Sequence, residues 1–317
     1  MKRVYIISLL IFMSWISLFT GVTDISISGI ISGNNHETMV MTISRIPRLL
    51  SIIAAGAGMS IAGLIMQNIS RNKFVSPTTG ATLDSAQLGI VIAMIIIPGA
   101  SIMAKVSVAF VFAIIGTGLF MSVLGKIKFK NSIFVPLVGI MVGNVIGSVT
   151  SMLGYKYNLS QNVSAWMQGD FSMIIKGNYE ILYITIPLIF IAYKYAHRFT
   201  IAGMGEDFSK NLGLSYKKTV NTGLVIVALI TVCIVITAGS IPYIGLIVPN
   251  IVSMYKGDNT KNIIMDTALT GIIFVMACDI IGRIIIYPYE ISIGLTVGVL
   301  GSIIFLYLIT RRSSYVS

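Results

Sequence analysis

Charge is scarce in this sequence: 10% of its 317 residues are Asp, Glu, Lys or Arg and 56% are hydrophobic, whereas an ordinary soluble domain is about 25% charged. Its two cysteines, Cys233 and Cys278, lack metal-ligand spacing and fall inside apolar runs, where a thiol behaves as a small hydrophobe. The two histidines, His36 and His197, lie in connecting segments. No GxxxxGK[ST], HExxH or GxSxG string occurs, so a phosphate cradle, a zinc peptidase helix and a serine nucleophile all lack a carrier, and an enzyme active site is not expected. The 17 methionines are spread over many apolar runs and read as pliable packing rather than a copper path.

What the chain does have is long uncharged runs. Those at 4–23, 49–70, 85–104, 106–125, 131–155 and 291–310 are each near the ~20 residues a bilayer-spanning helix needs. A seventh, 219–255, is too long for one helix and is interrupted by Gly239, Pro242 and Gly245, so it reads as two. Two weaker stretches complete the pattern: 181–195, which is short, and 263–287, which holds Asp266, Asp279 and Arg283. The expectation is an all-α polytopic membrane protein with ten transmembrane helices in a single domain, residues 1–317. The first run follows Lys2 and Arg3 without a small-x-small cleavage signal and is kept as helix one. The 21–44 segment, free of Lys and Arg, reads as a simple connector.

The net charge of +11 is informative through its placement. With ten spans and the N-terminus inside, all but six of the 22 lysines and arginines fall in internal loops, which favours cytoplasmic termini. The six are Arg45, Arg48, Lys105, Lys156, Lys176 and Arg283. Arg45 and Arg48, at the outer mouth of helix two, run against the charge bias and call for a reason.

Several residues stand out within the spans. Helix two carries a string of Ala, Gly and Ser that lets backbones approach closely. Helix five places Gly139, Gly143 and Gly147 on one stripe and Asn144, Ser148 and Ser151 on the next, so one face packs while the other offers hydrogen bonds, either as glue or along a wet path. Asp84 near the start of helix three is either a pathway residue or a charge favoured by the helix N-terminus. Asp279 and Arg283, four apart, suit an intrahelical ion pair. The longest internal connection, 197–218, mixes charge and glycine with Phe199, Ile201, Met204, Phe208, Leu212 and Leu214, as an amphipathic docking surface for a soluble partner would. Embedded charge is too sparse for a proton- or sodium-coupled pump, which points to an ATP-hydrolysing partner.

Over nearly its full length the sequence resembles the iron-siderophore and vitamin B12 permeases of ABC importers. The likeness rests on RIPRLL with the small-residue helix and QNISRNKFVSP, on VGIMVGNVIGS, on WMQGDF, on GEDFSKNLGL, and on AGSIPYIGLIVPNIV with DIIGRIIIYPYEISIGL. It departs where the family usually has His and, three residues on, Arg, here Asn250 and Ser253, and at Lys73 in place of proline. The RNKFVSPTTGATLD wording is similar to the branch importing ferric catecholate-type siderophores; haem or cobalamin is the alternative cargo and an ion-coupled secondary transporter the alternative class.

The resemblance implies the type II ABC importer permease fold. The chain would pair with a second permease subunit, in a homo- or heterodimer, sit on two ATPase subunits that hold the ATP and Mg, and receive cargo from an extracellular lipoprotein or periplasmic binding protein. It would have no cofactor or metal of its own and no nucleic-acid partner. Arg45, Arg48 and Arg283 match the arginines that dock carboxylates of the binding protein; lipid-headgroup anchoring of the first two, and pairing of Arg283 with Asp279, are the competing readings. Gly205, Glu206, Leu212 and Gly213 match the ATPase-coupling loop. Asn72, Phe74, Asn131 and Ser132 mark the inner gate, placed where helices three and five meet, with Asn144, Ser148, Ser151 and Asp84 along the path.

Overall fold

A computed structural model describes residues 3–23, 25–31, 35–79, 81–99, 101–126 and 134–313. Among these residues there is no β-strand. Ten helices of 13 or more residues fall on the ten apolar stretches: α1 (Arg3–Phe19), α4 (Ile46–Ile69), α5 (Thr82–Ile96), α6 (Ile102–Lys126), α7 (Phe134–Lys156), α9 (Thr185–Met204), α11 (Tyr216–Ala238), α12 (Ile244–Lys256), α13 (Thr260–Ile284) and α14 (Ile293–Ser313). Four short helices join them: α2 (Ile27–Ile31), α3 (Asn35–Val40), α8 (Ser160–Met167) and α10 (Glu206–Asn211). Five helical stretches are long and apolar enough to cross a membrane on their own, and one of these runs unbroken over Asn35–Ile69.

That last stretch corrects the reading of 21–44 as a connector. From Asn35 the chain is already helical, and a π-turn at Met41–Arg45 feeds directly into α4. Arg45 closes the π-turn and Arg48 follows in the first turn of α4, and both are buried.

Helix α4 is the hub, packing on α13, α11, α12 and α9. Its small residues permit this. A Cβ on Gly56 would come within 2.7 Å of the Ile272 Cα on α13, one on Gly63 would collide with the Gly245 carbonyl of α12, and the Ser60 hydroxyl fills the space above Gly271. Close backbone approach substitutes here for the hydrophobic drive that lipid removes.

The 219–255 run breaks where Gly239 and Pro242 stand, but Gly245 lies inside α12 against Pro77 and breaks nothing. At 13 residues α12 is ~20 Å long, too short for a ~30 Å hydrocarbon core. The partly buried segment 239–243 leads into it as irregular backbone. Two main-chain bonds tie this stretch to the 166–171 motif, Ser240 N–H to Met167 O (3.0 Å) and Asp170 N–H to Ala238 O (2.8 Å), and a third, Gly294 N–H to Gly169 O (2.9 Å), ties the motif to the start of α14.

Candidate functional site: two polar ends of one helical body

The molecule has two polar ends. Helices α1 and α13 lie side by side in the same direction, so Arg3 reaches the start of α13 and Ser17 its end.

At the end where α1 finishes and α4 begins, Arg45, Arg48 and Arg283 converge. Arg48 donates from Nε and Nη2 to Asp279 Oδ1 (3.3 and 2.8 Å) and from Nη1 to Glu290 Oε2 (2.7 Å). Arg283 pairs with the other oxygen of Asp279 one turn away, and its remaining arm donates to Ser17 O (2.8 Å) and Thr20 O (3.0 Å). Arg45 donates to Thr20 O and to Thr23 O (3.2 Å). Together the three guanidinium forks meet carboxylate and carbonyl acceptors on α13, at the end of α1 and in the loop before α14, a multi-point geometry for which Arg is better suited than Lys. The expected intrahelical pair of Asp279 and Arg283 is therefore present. The three arginines do not stand free at an outer surface: they are 8%, 8% and 3% exposed, and their charges are met within the chain. Glu290, which completes the cluster, was not picked out from the sequence. One embedded acid, Asp279, against three arginines was the available signal, since embedded charges seek neutralising partners.

At the opposite end, α9 runs into α10 through Gly205, whose φ of +120° suits a residue without a side chain. The Ser209 hydroxyl caps the turn by donating to the Gly205 carbonyl (2.6 Å). Glu206 pairs with Lys210 at 2.7 Å and raises that ammonium's pKa. Phe208 and Leu212 project outward, 47% and 57% exposed, and Gly213 follows at φ +73°. The four coupling candidates thus share one short segment, with Leu212 and Gly213 exposed, Glu206 partly so and Gly205 buried. Beside it lies a cavity of about 390 Å³ lined by Gln67, Arg71, Asn72, Thr200 and Asp258 among others.

Asn250 accounts for one departure from the family pattern. It is buried and donates to Lys73 O (2.7 Å), pinning the turn after α4, while Lys73 itself pairs with Asp258 at 2.6 Å.

Of the inner-gate candidates, Asn72 and Phe74 lie in the turn after α4; Asn72 accepts from the Phe74 N–H (2.9 Å), and Phe74 meets Phe305 of α14 edge-on at 6.0 Å. Asn131 and Ser132 lie outside the described residues. Asp84, on α5, is half-buried against Gly143 and Gly147 of α7; a Cβ on Gly143 would run into its carboxylate. The glycine stripe thus makes room for the acid. Asn144, Ser148 and Ser151 are exposed on another face of α7, so the structure does not bring them together with Asp84.

A helical body with long apolar spans, one end gathering buried charge and the other presenting a short amphipathic helix, has the build of a polytopic membrane protein. The chain belongs to the FecCD transport family, whose model matches residues 9–311. It is 55% identical over 315 residues to the petrobactin import system permease protein of Bacillus subtilis, covering 99% of this chain and 100% of that one. It is 37% identical to the ferric-anguibactin transport system permease protein of Vibrio anguillarum over 92% of each chain. A solved structure described as an inward-facing conformation of a transporter of the metal-chelate ABC type superposes with a TM-score of 0.82 at 22% identity, over 96% of this chain and 97% of that one; at that identity the likeness speaks for the fold. The chain is a non-catalytic permease, and ATP hydrolysis belongs to a separate subunit.

Proposed function

We propose that this chain is the permease subunit of an ABC importer that carries a ferric siderophore, of the catecholate type, across the bacterial cytoplasmic membrane. The observation that carries the reading is the full-length likeness to the petrobactin permease at 55% identity, with the anguibactin permease agreeing on cargo class. In this reading the ten long helices cross the membrane, α12 together with its irregular lead-in, and both termini are cytoplasmic. The Arg48 end then faces outward and the α10 end inward.

Each end has a partner in this reading. The inner end offers Phe208 and Leu212 to a groove on an ATPase subunit, with Gly205 and Gly213 as the two turns that set α10 at its angle. Nucleotide-driven closure of two ATPases, which hold the ATP and Mg, would rock the helices and expose the path to one side at a time. The outer end receives a binding lipoprotein or periplasmic protein through Arg45, Arg48 and Arg283. The exposed Asn144, Ser148 and Ser151 stripe of α7 faces a second permease subunit and lines the path between the two. Such a path holds its cargo loosely, since tight binding would slow release.

Uptake of iron-labelled ferric petrobactin in a strain whose own permease is deleted tests the cargo. Restored uptake is expected, with haem and cobalamin not carried; uptake of either in place of the ferric siderophore would overturn the assignment. Leu212→Asp, at an exposed site, is expected to leave the protein in the membrane while lowering transport per ATP hydrolysed by tenfold or more; unchanged coupling would remove α10 from the ATPase contact.

A further inference from the structure

We propose that Glu290 is an internal stand-in for the carboxylate of the extracellular partner: it occupies Arg48 while the outer face is free and yields that arginine when the binding protein docks. The inference rests on the docking reading above and supplies what that reading lacks, a way for arginines already paired inside the chain to reach an outside acid.

Arg48 divides its guanidinium between two acids of different standing. Asp279 is fixed on α13, its side chain 2% exposed and shared with Arg283. Glu290 lies between α13 and α14, is 23% exposed, and touches Arg48 through one arm alone at 2.7 Å. Its backbone is held by neighbours, Ile291 N–H to Gly282 O (2.9 Å) and Tyr289 N–H to Ile286 O (2.8 Å), so the side chain can swing away without repacking a helix.

Exchange of one carboxylate for another leaves the cluster's charge unchanged. That matters because a buried cation stripped of its partner is strongly disfavoured; an incoming acid that takes the Glu290 position never passes through such a state. The surroundings suit a protein partner. Ile285, Ile286, Tyr287 and Tyr289 are 61%, 54%, 61% and 75% exposed around the loop, an apolar and aromatic patch of the kind enriched at the core of protein interfaces. The partner therefore presents an acidic side chain within an apolar surface, and Glu290 competes with that acid for Arg48.

The test measures the affinity of the cargo-loaded binding protein for the assembled permease–ATPase complex in lipid nanodiscs at fixed ionic strength. Glu290→Gln removes the competing charge, and Glu290→Asp keeps the charge but shortens the arm. Both are expected to tighten docking, by about fivefold for Gln, the scale of a partly exposed ion pair. Glu180→Gln, which removes an equal charge from the same end away from Arg48, is expected to change affinity by less than about twofold. Should Glu290→Gln not assemble, Glu290→Asp carries the test through its single lost methylene. Unchanged or weaker docking in the Glu290 variants, alongside clear weakening by Arg45→Gln, overturns the stand-in and leaves the docking reading in place. Equal tightening by Glu180→Gln also overturns it, since bulk charge then explains the effect. No response to Arg45→Gln or to the Glu290 variants removes both.

Discussion

Helix α13 carries a buried acid toward each end, and the two are neutralised in different ways. Asp266, 2% exposed, is met by Arg3 at 3.3 Å and Lys256 at 2.9 Å, whose side chains are 56% and 33% exposed. Asp279, 4% exposed, is met by Arg48 and Arg283, whose side chains are 9% and 1% exposed. At the first end long side chains reach in from the wet side and can return to it, as snorkelling cations do. At the second end both cations are inside with the acid; a spare arm of Arg283 is taken up by the Ser17 and Thr20 carbonyls at the α1 end and one of Arg48 by Glu290, while the Arg283 Nε–H is buried without an acceptor among the described residues. The difference is between a charge that solvent can rescue and one that only the fold can.

The sharpest way to break the comparison is to remove the acid from the closed end. Asp279→Ala leaves Arg48 and Arg283 in a dry site with one partly exposed carboxylate between them. A loss of about 3–5 kcal/mol is expected, the range for stripping one partner from a buried pair. Thermal unfolding of the purified complex in detergent, read with the yield of folded protein, checks it. A melting temperature within a degree or two of the parent would show that water enters this cluster.

These two clusters also mark what sequence alone could and could not convey. The Asp279–Arg283 pair was legible because four residues is one helical turn and lies within one apolar run. The contact of Arg48 with Asp279 bridges a separation of 231 residues, and no local pattern encodes it. The helices were legible for the same reason as the pair: lipid demands long apolar runs, and those runs are visible. The helical start at Asn35 was missed because a polar surface helix lacks such a run, and hydropathy does not register it. Gly245 was misread as a breaker because its small size serves the close approach of Pro77 and of the α4 backbone rather than a turn. Gly143 and Gly147 were read as a packing stripe, but that they pack on the Asp84 carboxylate is a fact of the α5–α7 pairing alone.

The corresponding change at the open end should cost much less. Asp266→Ala deprives Arg3 and Lys256 of a shared partner, yet both can extend into solvent, so about 1 kcal/mol is expected, the upper range for an exposed pair. Measured beside Asp279→Ala under the same conditions, a cost equal to or larger than that of Asp279→Ala would mean that burial of the acid, and not of its cations, sets the energetics.

Salt sharpens the contrast at its smallest scale. Raising ionic strength from 0.1 M to 1 M shortens the screening length from ~10 Å to ~3 Å, which weakens pairs that ions can approach and hardly touches those they cannot. The parent is expected to lose a few tenths of a kcal/mol, most of it at the Asp266 end. Asp266→Ala should therefore be less salt-sensitive than the parent. A parent and an Asp266→Ala variant with the same salt dependence would place the screened interaction elsewhere, with the exposed Glu206–Lys210 pair of α10 as the next source to remove. Because that pair lies on the segment proposed to meet the ATPase, its Glu206→Gln variant would separate a screened contact within the chain from one made across the subunit boundary: only the latter vanishes when the permease is melted without its ATPase.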